Sequence, residues 1–253
     1  MPLCPDTYYD SLQDPIERIK LEMTACLRWS DRLGLSEGIC NHFSVEVPGQ
    51  PGTFLLNPQG LHWSEIKVSD IITVATDGTL IDGKHDAEPT AFFIHSGIHR
   101  NVASASVVLH THMPSATTLA CLDHGEVIHC TQNSLRWFNR ISYDKDYNGL
   151  ALDHSEGNRM AALMKDNRVL FLANHGVVVV GPNMAEAFDD LYYLERACEV
   201  QINAMQTGQP LSVIQEQHGE HAYQQIMKDR TQCYSHLEAI IRIQLRESPE
   251  LAE

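Results

Sequence analysis

Apolar residues recur along the chain with the spacings of both helices and strands. Ile16, Ile19, Met23 and Leu27 return every three or four positions, which predicts a helix over residues 15–33 that ends at Gly34. Short apolar runs follow at residues 42–47, 53–57 and 71–75, with proline, glycine, asparagine and aspartate between them. The first 75 residues therefore predict one helix and three short strands.

In the rest of the chain, segments with the apolar spacing of strands alternate with segments that have the spacing of helices. Compact apolar runs predict strands at residues 104–112, 168–173 and 177–180. Helical spacing, with proline at two of the starts and Gly208 after the longest element, predicts helices at residues 88–100, 113–122, 155–165, 184–205 and 215–246.

This order of elements predicts an α/β fold in which helices cover a central sheet. The chain has no internal repeat and no linker before Gln206, so residues 1–207 are expected to form one domain. Residues 208–253 are expected to add a C-terminal helical extension, a peripheral arm on that domain.

Composition narrows the possible partners. Apolar residues make up 43% of the chain and charged residues 20%, which is typical of a soluble protein with a core. The net charge of −15 disfavours nucleic acid and anionic membranes. No apolar run is long enough to span a bilayer, and the first residues do not resemble a signal peptide. The seven cysteines stand singly, which favours a reducing cytoplasm over a disulfide framework.

Three histidines form a candidate metal site. Residues two apart on a strand face the same side, so His110 and His112 present two imidazoles at the end of a predicted strand. His175 lies in a turn between two apolar strands, and Gly176 after it permits a close backbone approach. Three imidazoles with one open position are typical of catalytic zinc. The alternative is that these are unrelated histidines, among the 14 in the chain, that pack or cap.

Several motifs between about residue 16 and residue 207 resemble the class II aldolase/adducin family. They are GICNHFS at 38–44, NPQG at 57–60, IHSGIH at 94–99, VLHTH at 108–112, ANHG at 173–176, AEAF at 185–188 and LERAC at 194–198. The HTH and NHG motifs, about sixty residues apart, are the most specific pair.

The resemblance implies an αβα sandwich with a central, largely antiparallel sheet, and a cyclic homotetramer with active sites between subunits. It also implies that His110, His112 and His175 hold a divalent metal, commonly zinc, which stabilises an enolate or enediolate. Members include sugar-phosphate aldolases, epimerases, a dehydratase and decarboxylases. The partners expected from this resemblance are a small-molecule substrate and further copies of the chain.

The sequence departs from the aldolases at their catalytic acid. Aligned on His95, the Ser-Ser-Glu motif of the aldolases falls on Pro89, Thr90 and Ala91. Glu88 is the nearest acid. It lies three positions earlier on the same predicted helical face, so it is our candidate catalytic residue. The competing interpretation is that Glu88 caps the helix N-terminus, where a carboxylate is favoured.

Other departures affect the substrate and the proton donor. The phosphate-binding loops are only loosely similar, so a phosphorylated substrate is disfavoured, and the pattern resembles the adducin-like bacterial branch. His95 and His99 share a helical face. The functional interpretation is a proton relay or an extra ligand near the metal, and the alternative, which we favour, is packing in the core or at an interface. The resemblance also calls for a further acid, and Glu126, Tyr143 or Tyr147 could supply it.

Two functions remain open from the sequence. The first is a metal-dependent lyase that performs retro-aldol cleavage or decarboxylation of a small hydroxy-carbonyl compound through a metal-stabilised enolate; epimerase or dehydratase activity is less favoured. Decarboxylation tolerates the missing glutamate best, because it needs no base. The second is a non-catalytic, adducin-like binding or assembly module, which the intact histidine triad disfavours.

Overall fold

A single eight-stranded sheet forms the centre of the protein. The structure, a computed structural model, describes residues 5–253, and side chains from residue 8. The strands run in the spatial order β4-β3-β2-β1-β5-β8-β7-β6, and every neighbouring pair is antiparallel except β6 and β7. Their bounds are β1 His42–Glu46, β2 Thr53–Leu56, β3 Ile72–Ala75, β4 Leu80–Asp82, β5 Val107–Thr111, β6 Ile141–Asp144, β7 Val169–Leu172 and β8 Gly176–Gly181.

Helices pack on both faces of this sheet. Their bounds are α1 Pro5–Ser11, α2 Pro15–Arg32, α3 Pro89–Asn101, α4 Pro114–Ala120, α5 His154–Met164, α6 Met184–Gln206, α7 Glu216–Lys228 and α8 Thr231–Glu247. Short 3-10 turns lie at Val68–Asp70, Asn133–Trp137 and Pro249–Ala252. In the part of the chain that the structure describes, no helix is both long and apolar enough to cross a bilayer.

The alternation of side chains along the central strands divides the core into two layers. On β5, Val107 and Leu109 join the larger apolar cluster, which lies under α2, α4, α6 and α8. Val108 faces the other way, into a cluster that α3 and α5 cover. The strand is buried on both faces, so it is a continuous apolar run in sequence. The predicted αβα sandwich with a largely antiparallel sheet is confirmed.

Helices α3 and α5 approach each other very closely. A Cβ atom added to Gly97 would lie 2.5 Å from the backbone carbon of Gly157, and one added to Gly157 would lie 2.1 Å from the carbonyl oxygen of Phe93. Only glycine tolerates such a distance. This contact holds α3 against α5, and α3 carries His95 and His99, which face β1.

Several features differ from the prediction. The single helix predicted at residues 215–246 is two helices, α7 and α8. Strand β4 is exposed and only three residues long, and the sequence did not predict it. Strand β6 was also missed; it pairs parallel to β7 at the sheet edge. The expected peripheral position of the C-terminal tail is wrong for α8, because Leu237, Ile240 and Ile241 are buried in the larger core. The domain boundary at residue 207 stays a prediction.

Candidate metal centre

Three histidines from two parts of the chain meet at one end of the central strands. His110 is the fourth residue of β5, His112 follows the strand, and His175 lies between β7 and β8. One ring nitrogen from each lies within 4.8 Å of the other two. The ring centroid of His175 is 4.8 Å from those of both His110 and His112.

The turn that carries His175 depends on its two neighbours. Asn174 adopts the left-handed conformation, with φ 56°, which asparagine tolerates better than most residues. A Cβ atom on Gly176 would lie 2.5 Å from the carbonyl oxygen of Thr111 and 2.8 Å from Cδ2 of His112. The absence of a side chain at Gly176 therefore lets the β7–β8 turn close against the His110–His112 segment, as the sequence predicted.

Hydrogen bonds to Nδ1 fix the orientation of two of the rings. Nδ1 of His110 donates to the carbonyl oxygen of Val177 over 3.0 Å. Nδ1 of His112 contacts the carboxylate of Glu37, which lies in the loop before β1. Carbonyl and carboxylate oxygens only accept hydrogen bonds, so Nδ1 carries the proton in both rings. When such a ring is neutral, its Nε2 is unprotonated and free to bind a cation.

These two Nε2 atoms lie 3.2 Å apart. Two nitrogen lone pairs at this distance repel each other unless a cation lies between them. Two nitrogens that bind one tetrahedral zinc at about 2.05 Å each are about 3.3 Å apart. The donor set thus fits a divalent transition metal. His110, His112 and His175 are the residues that would hold it.

Burial favours the protonation state that a metal needs. Burial, together with the nearby His42, holds the pKa of His110 well below its usual range. Burial and the neighbouring His112 lower the pKa of His175 to about 4. Rings that stay neutral at neutral pH keep a lone pair for a cation.

Sequence reasoning missed two residues that hold His112 in place. Glu37 lies 75 residues before His112, in a loop without a recognisable motif. Asn41 accepts a hydrogen bond from the backbone N–H of His112 over 3.4 Å. Carboxylate–histidine pairs of this kind orient metal ligands in other proteins. Thr111, which lies between His110 and His112, has a buried hydroxyl with no partner among the described residues.

A cavity opens beside His112 and His175. Its volume is about 400 Å³. Its lining includes one carboxylate, that of Glu37, and within the described residues it includes no lysine or arginine. The lining residues are Glu37, His112, Thr117, Tyr147, Gly149, Leu150, Asn174 and His175.

The structure places Glu88 at the N-terminus of α3. Its carboxylate accepts a hydrogen bond from the backbone N–H of Ala91 over 2.6 Å and one from the hydroxyl of Thr90. This is the capping contact that the sequence offered as the alternative. Ala91 lies in an apolar cluster with Phe54 and Phe92. A catalytic role for Glu88 stays a prediction, and no contact of this carboxylate supports it.

The three other candidate acids lie in different parts of the structure. Tyr147 lines the cavity beside His112 and His175 and is more than half exposed. The hydroxyl of Tyr143 accepts a hydrogen bond from the backbone N–H of Val127 over 3.0 Å. Glu126 forms an ion pair with Lys145 and lines a neighbouring cavity. Tyr147 is therefore the best placed of the three within one subunit.

The candidate histidines of α3 are buried behind the metal centre. His95 and His99 both hydrogen-bond to the hydroxyl of Ser44 on β1. His95 also contacts His42, whose ring lies against that of His110. The sequence placed His95 and His99 on one helical face, and the structure shows which strand that face meets.

Comparison with known proteins identifies the family. Residues 21–202 match the family model described as the class II aldolase and adducin N-terminal domain. An aldolase class 2 protein of Pseudomonas aeruginosa is 34% identical over 193 residues, covering 76% of this chain and 73% of the relative.

Two solved structures show the same fold. An aldolase II superfamily protein from Pseudomonas syringae superimposes with a TM-score of 0.88 at 28% identity, covering 96% of this chain and 98% of the other. The L-fuculose 1-phosphate aldolase from Glaciozyma antarctica gives 0.82 at 23% identity, covering 91% of each chain. The chain belongs to the class II aldolase and adducin family.

Proposed function

We propose that this protein is a metal-dependent lyase that cleaves a carbon–carbon bond in a small hydroxy-carbonyl compound, with zinc as the metal. The observation that carries the proposal is the convergence of three imidazole nitrogens within 4.8 Å of one another, with Nε2 of His110 3.2 Å from Nε2 of His112. A divalent cation held by these rings would polarise a carbonyl oxygen and stabilise the negative charge that develops when an adjacent bond breaks.

Other groups of the protein orient two of the three histidines and line the cavity beside His112 and His175. Glu37 and the Val177 carbonyl hold the two rings in one tautomer, so the ligands need no rearrangement when a cation binds. Thr117 lines the cavity, and its hydroxyl has no partner among the described groups. A buried hydroxyl of this kind favours a polar substrate group that pairs with it.

The cavity favours an unphosphorylated substrate. Phosphate sites in proteins generally use arginine, lysine or a helix N-terminus, and the described lining contains neither basic residue. Its volume of about 400 Å³ lies at the lower end of the range for small-molecule sites in proteins. We therefore propose a small keto acid or hydroxyketone as the substrate class.

Two reactions remain within this proposal. Retro-aldol cleavage needs a base that takes a hydroxyl proton, whereas decarboxylation releases carbon dioxide without one. The position of the aldolase acid is Ala91, which is packed among apolar side chains, and the carboxylate of Glu88 is bound to the helix terminus. Decarboxylation is therefore the reaction that requires the fewest catalytic groups from this site.

We also propose a homotetramer. The loop after β6 carries Tyr147, Leu150 and Leu152, which are all more than half exposed, and Tyr147 and Leu150 line the cavity beside His112 and His175. Burying these side chains against another copy would remove them from water and close the cavity. Light scattering after size exclusion should give four times the chain mass of 28.4 kDa, whereas a mass of one chain would contradict the proposal.

The compartment that we propose is the cytoplasm. The six cysteines within the described residues are free thiols, and a reducing compartment maintains this state. Cys26 and Cys198 are buried, and burial raises the pKa of both thiols well above the usual range. Such thiols are inert packing residues rather than reactive groups.

The alternative is an adducin-like module that binds or assembles without catalysis. The family description covers both classes, and the missing acid at Ala91 fits this alternative as well. A screen of 2-keto acids, hydroxyketones and ketose phosphates separates the two functions. We expect turnover of an unphosphorylated compound that His175→Ala abolishes and His221→Ala, an exposed control, leaves unchanged. Stoichiometric metal without turnover of any compound favours the binding module.

A further inference from the structure

A chain of buried hydrogen bonds runs behind the metal centre, between β1 and α3. Nδ1 of His42 lies 2.7 Å from Nε2 of His95, and Nδ1 of His95 lies 2.5 Å from the hydroxyl oxygen of Ser44. The same oxygen lies 2.7 Å from Nε2 of His99, and Nδ1 of His99 lies 2.8 Å from the carbonyl oxygen of Ala105. The chain thus joins four side chains to one backbone carbonyl.

The carbonyl oxygen of Ala105 determines which atom donates and which accepts in every hydrogen bond of this series. A carbonyl oxygen only accepts, so Nδ1 of His99 carries the proton and its Nε2 accepts. Ser44 has one hydroxyl proton, which it donates to His99, so it accepts from Nδ1 of His95. Nε2 of His95 is then an acceptor, and Nδ1 of His42 donates to it. With neutral rings, only this arrangement satisfies all four contacts.

The surroundings keep these rings neutral. All four side chains are buried. Burial lowers the pKa of His99 to about 4 and holds the pKa of His95 well below its usual range. A positive charge in this layer would lack both water and a carboxylate partner.

This series of hydrogen bonds leaves Nε2 of His42 without a partner. Within the described part of the chain, no group hydrogen-bonds to this atom. His42 pairs directly with His110 across β1 and β5, and the two ring centroids are 4.8 Å apart. An acceptor nitrogen that the protein leaves unpaired beside the candidate metal centre is available to a donor that enters with a ligand.

We infer that His42 is a substrate-positioning residue whose unprotonated Nε2 accepts a hydrogen bond from a substrate hydroxyl at the metal centre. The inference rests on the proposed function, because it assumes that the substrate binds there. Ser44, His95 and His99 act through His42, since they fix its tautomer. The carboxylate that the aldolases carry at the Ala91 position is absent, and the histidine chain provides a neutral acceptor in the same layer.

Nitrogen NMR of the zinc-loaded protein, with ¹⁵N-labelled histidine, tests the direction of the chain. The inference requires that His42, His95 and His99 each carry the proton on Nδ1. An Nε2–H tautomer or a charged ring at His42 would overturn it. This readout requires no turnover.

A variant in the middle of the hydrogen-bond series tests whether Ser44 acts through His42. Ser44→Ala removes the link between His95 and His99, so His95 and His42 should populate both tautomers while zinc stays stoichiometric. Ser30→Ala is the matched control, because Ser30 is equally buried on the other side of the sheet. A single unchanged tautomer of His42 in Ser44→Ala would contradict the role of the chain.

Hydroxyacetone and acetone test the acceptor itself. Hydroxyacetone should move the Nε2 resonance of His42 in the zinc-loaded protein, and acetone, which lacks the hydroxyl, should not. An equal response to both compounds, or none to hydroxyacetone, would overturn the inference. His42→Asn should keep one zinc per chain. Loss of zinc comparable to that of His110→Ala would make His42 a ligand instead, which also overturns it.

Discussion

The carboxylate of Glu37 contacts Nδ1 of His112 across 75 residues of sequence. Glu37 belongs to the loop between α2 and β1, and His112 to the end of β5, so the contact forms only in the folded chain. It directs Nε2 of His112 toward Nε2 of His110, 3.2 Å away. A residue outside the histidine motifs therefore orients one of the candidate metal ligands.

Replacement of Glu37 by glutamine should weaken zinc binding without unfolding the protein. The amide carries no charge and no longer favours the Nδ1–H tautomer of His112, and comparable changes at other metal sites cost about 10–100-fold in affinity. Competition with a zinc-binding dye measures the change. Glu126→Gln is the control, because Glu126 pairs with Lys145 outside the metal centre. Equal affinity in both variants would exclude the orienting role.

Gly176→Ala should disturb the metal centre through the backbone. The new Cβ atom would lie 2.5 Å from the carbonyl oxygen of Thr111, and overpacking of this size costs about 1–3 kcal/mol. Zinc affinity and the melting temperature should both fall. Gly208→Ala is the control: Gly208 has open space around it, so the left-handed strain at its φ of 70° should lower stability without changing zinc affinity. Normal zinc affinity in Gly176→Ala would contradict the close approach.

Glu88 provides a test that separates capping from catalysis. Glu88→Ala should lower the free energy of unfolding by about 0.5–2 kcal/mol, the usual cost of a lost N-cap. Glu88→Ser should restore much of this stability, because serine also caps helices. If Glu88 acts only as a cap, Glu88→Ser retains turnover of the substrate found by screening. A stable but inactive Glu88→Ser variant would support the catalytic role predicted from the sequence.

The pH dependence of stability reports on His99. The pKa of folded His99 is lowered to about 4 by burial, whereas that of an unfolded histidine is about 6.5. Between these values the unfolded chain binds a proton that the folded protein does not. Stability contributed by His99 is thus complete above pH 6.5 and decreases as the pH falls to about 4, by about 1.4 kcal/mol per pH unit.

Urea unfolding of the metal-free protein at several pH values measures this slope. His99→Gln should reduce the slope by about one proton within the window, whatever its effect on the absolute stability. His221→Gln, at an exposed position on α7, should leave the slope unchanged. An identical slope for His99→Gln and the wild type would show that His99 is not held neutral.

Local sequence patterns determined much of this fold. The helix at Pro15–Arg32 and the strand at Val107–Thr111 follow directly from apolar periodicity. The HTH and NHG motifs identified the three histidines because short spacing on a strand and a turn between strands restrict where side chains point. The Gly176 contact was predictable for the same reason.

Long-range contacts were not predictable. The interpretation of His95 and His99 stayed open because the partner Ser44 is about fifty residues away, and its position depends on the β1–β5 register. Leu237 and Ile240 have ordinary amphipathic spacing, which does not reveal whether a helix packs on the main core or on the surface. Glu37 gave no signal, because an acid in a loop is usually solvated.

Metal content tests the central claim most directly. Purified protein, analysed by plasma mass spectrometry after gel filtration, should contain close to one zinc ion per chain. The His110→Ala/His112→Ala double variant should contain almost none while its far-ultraviolet circular dichroism is preserved. A wild-type protein without metal, and without an increase in melting temperature at a large excess of zinc, would contradict the account.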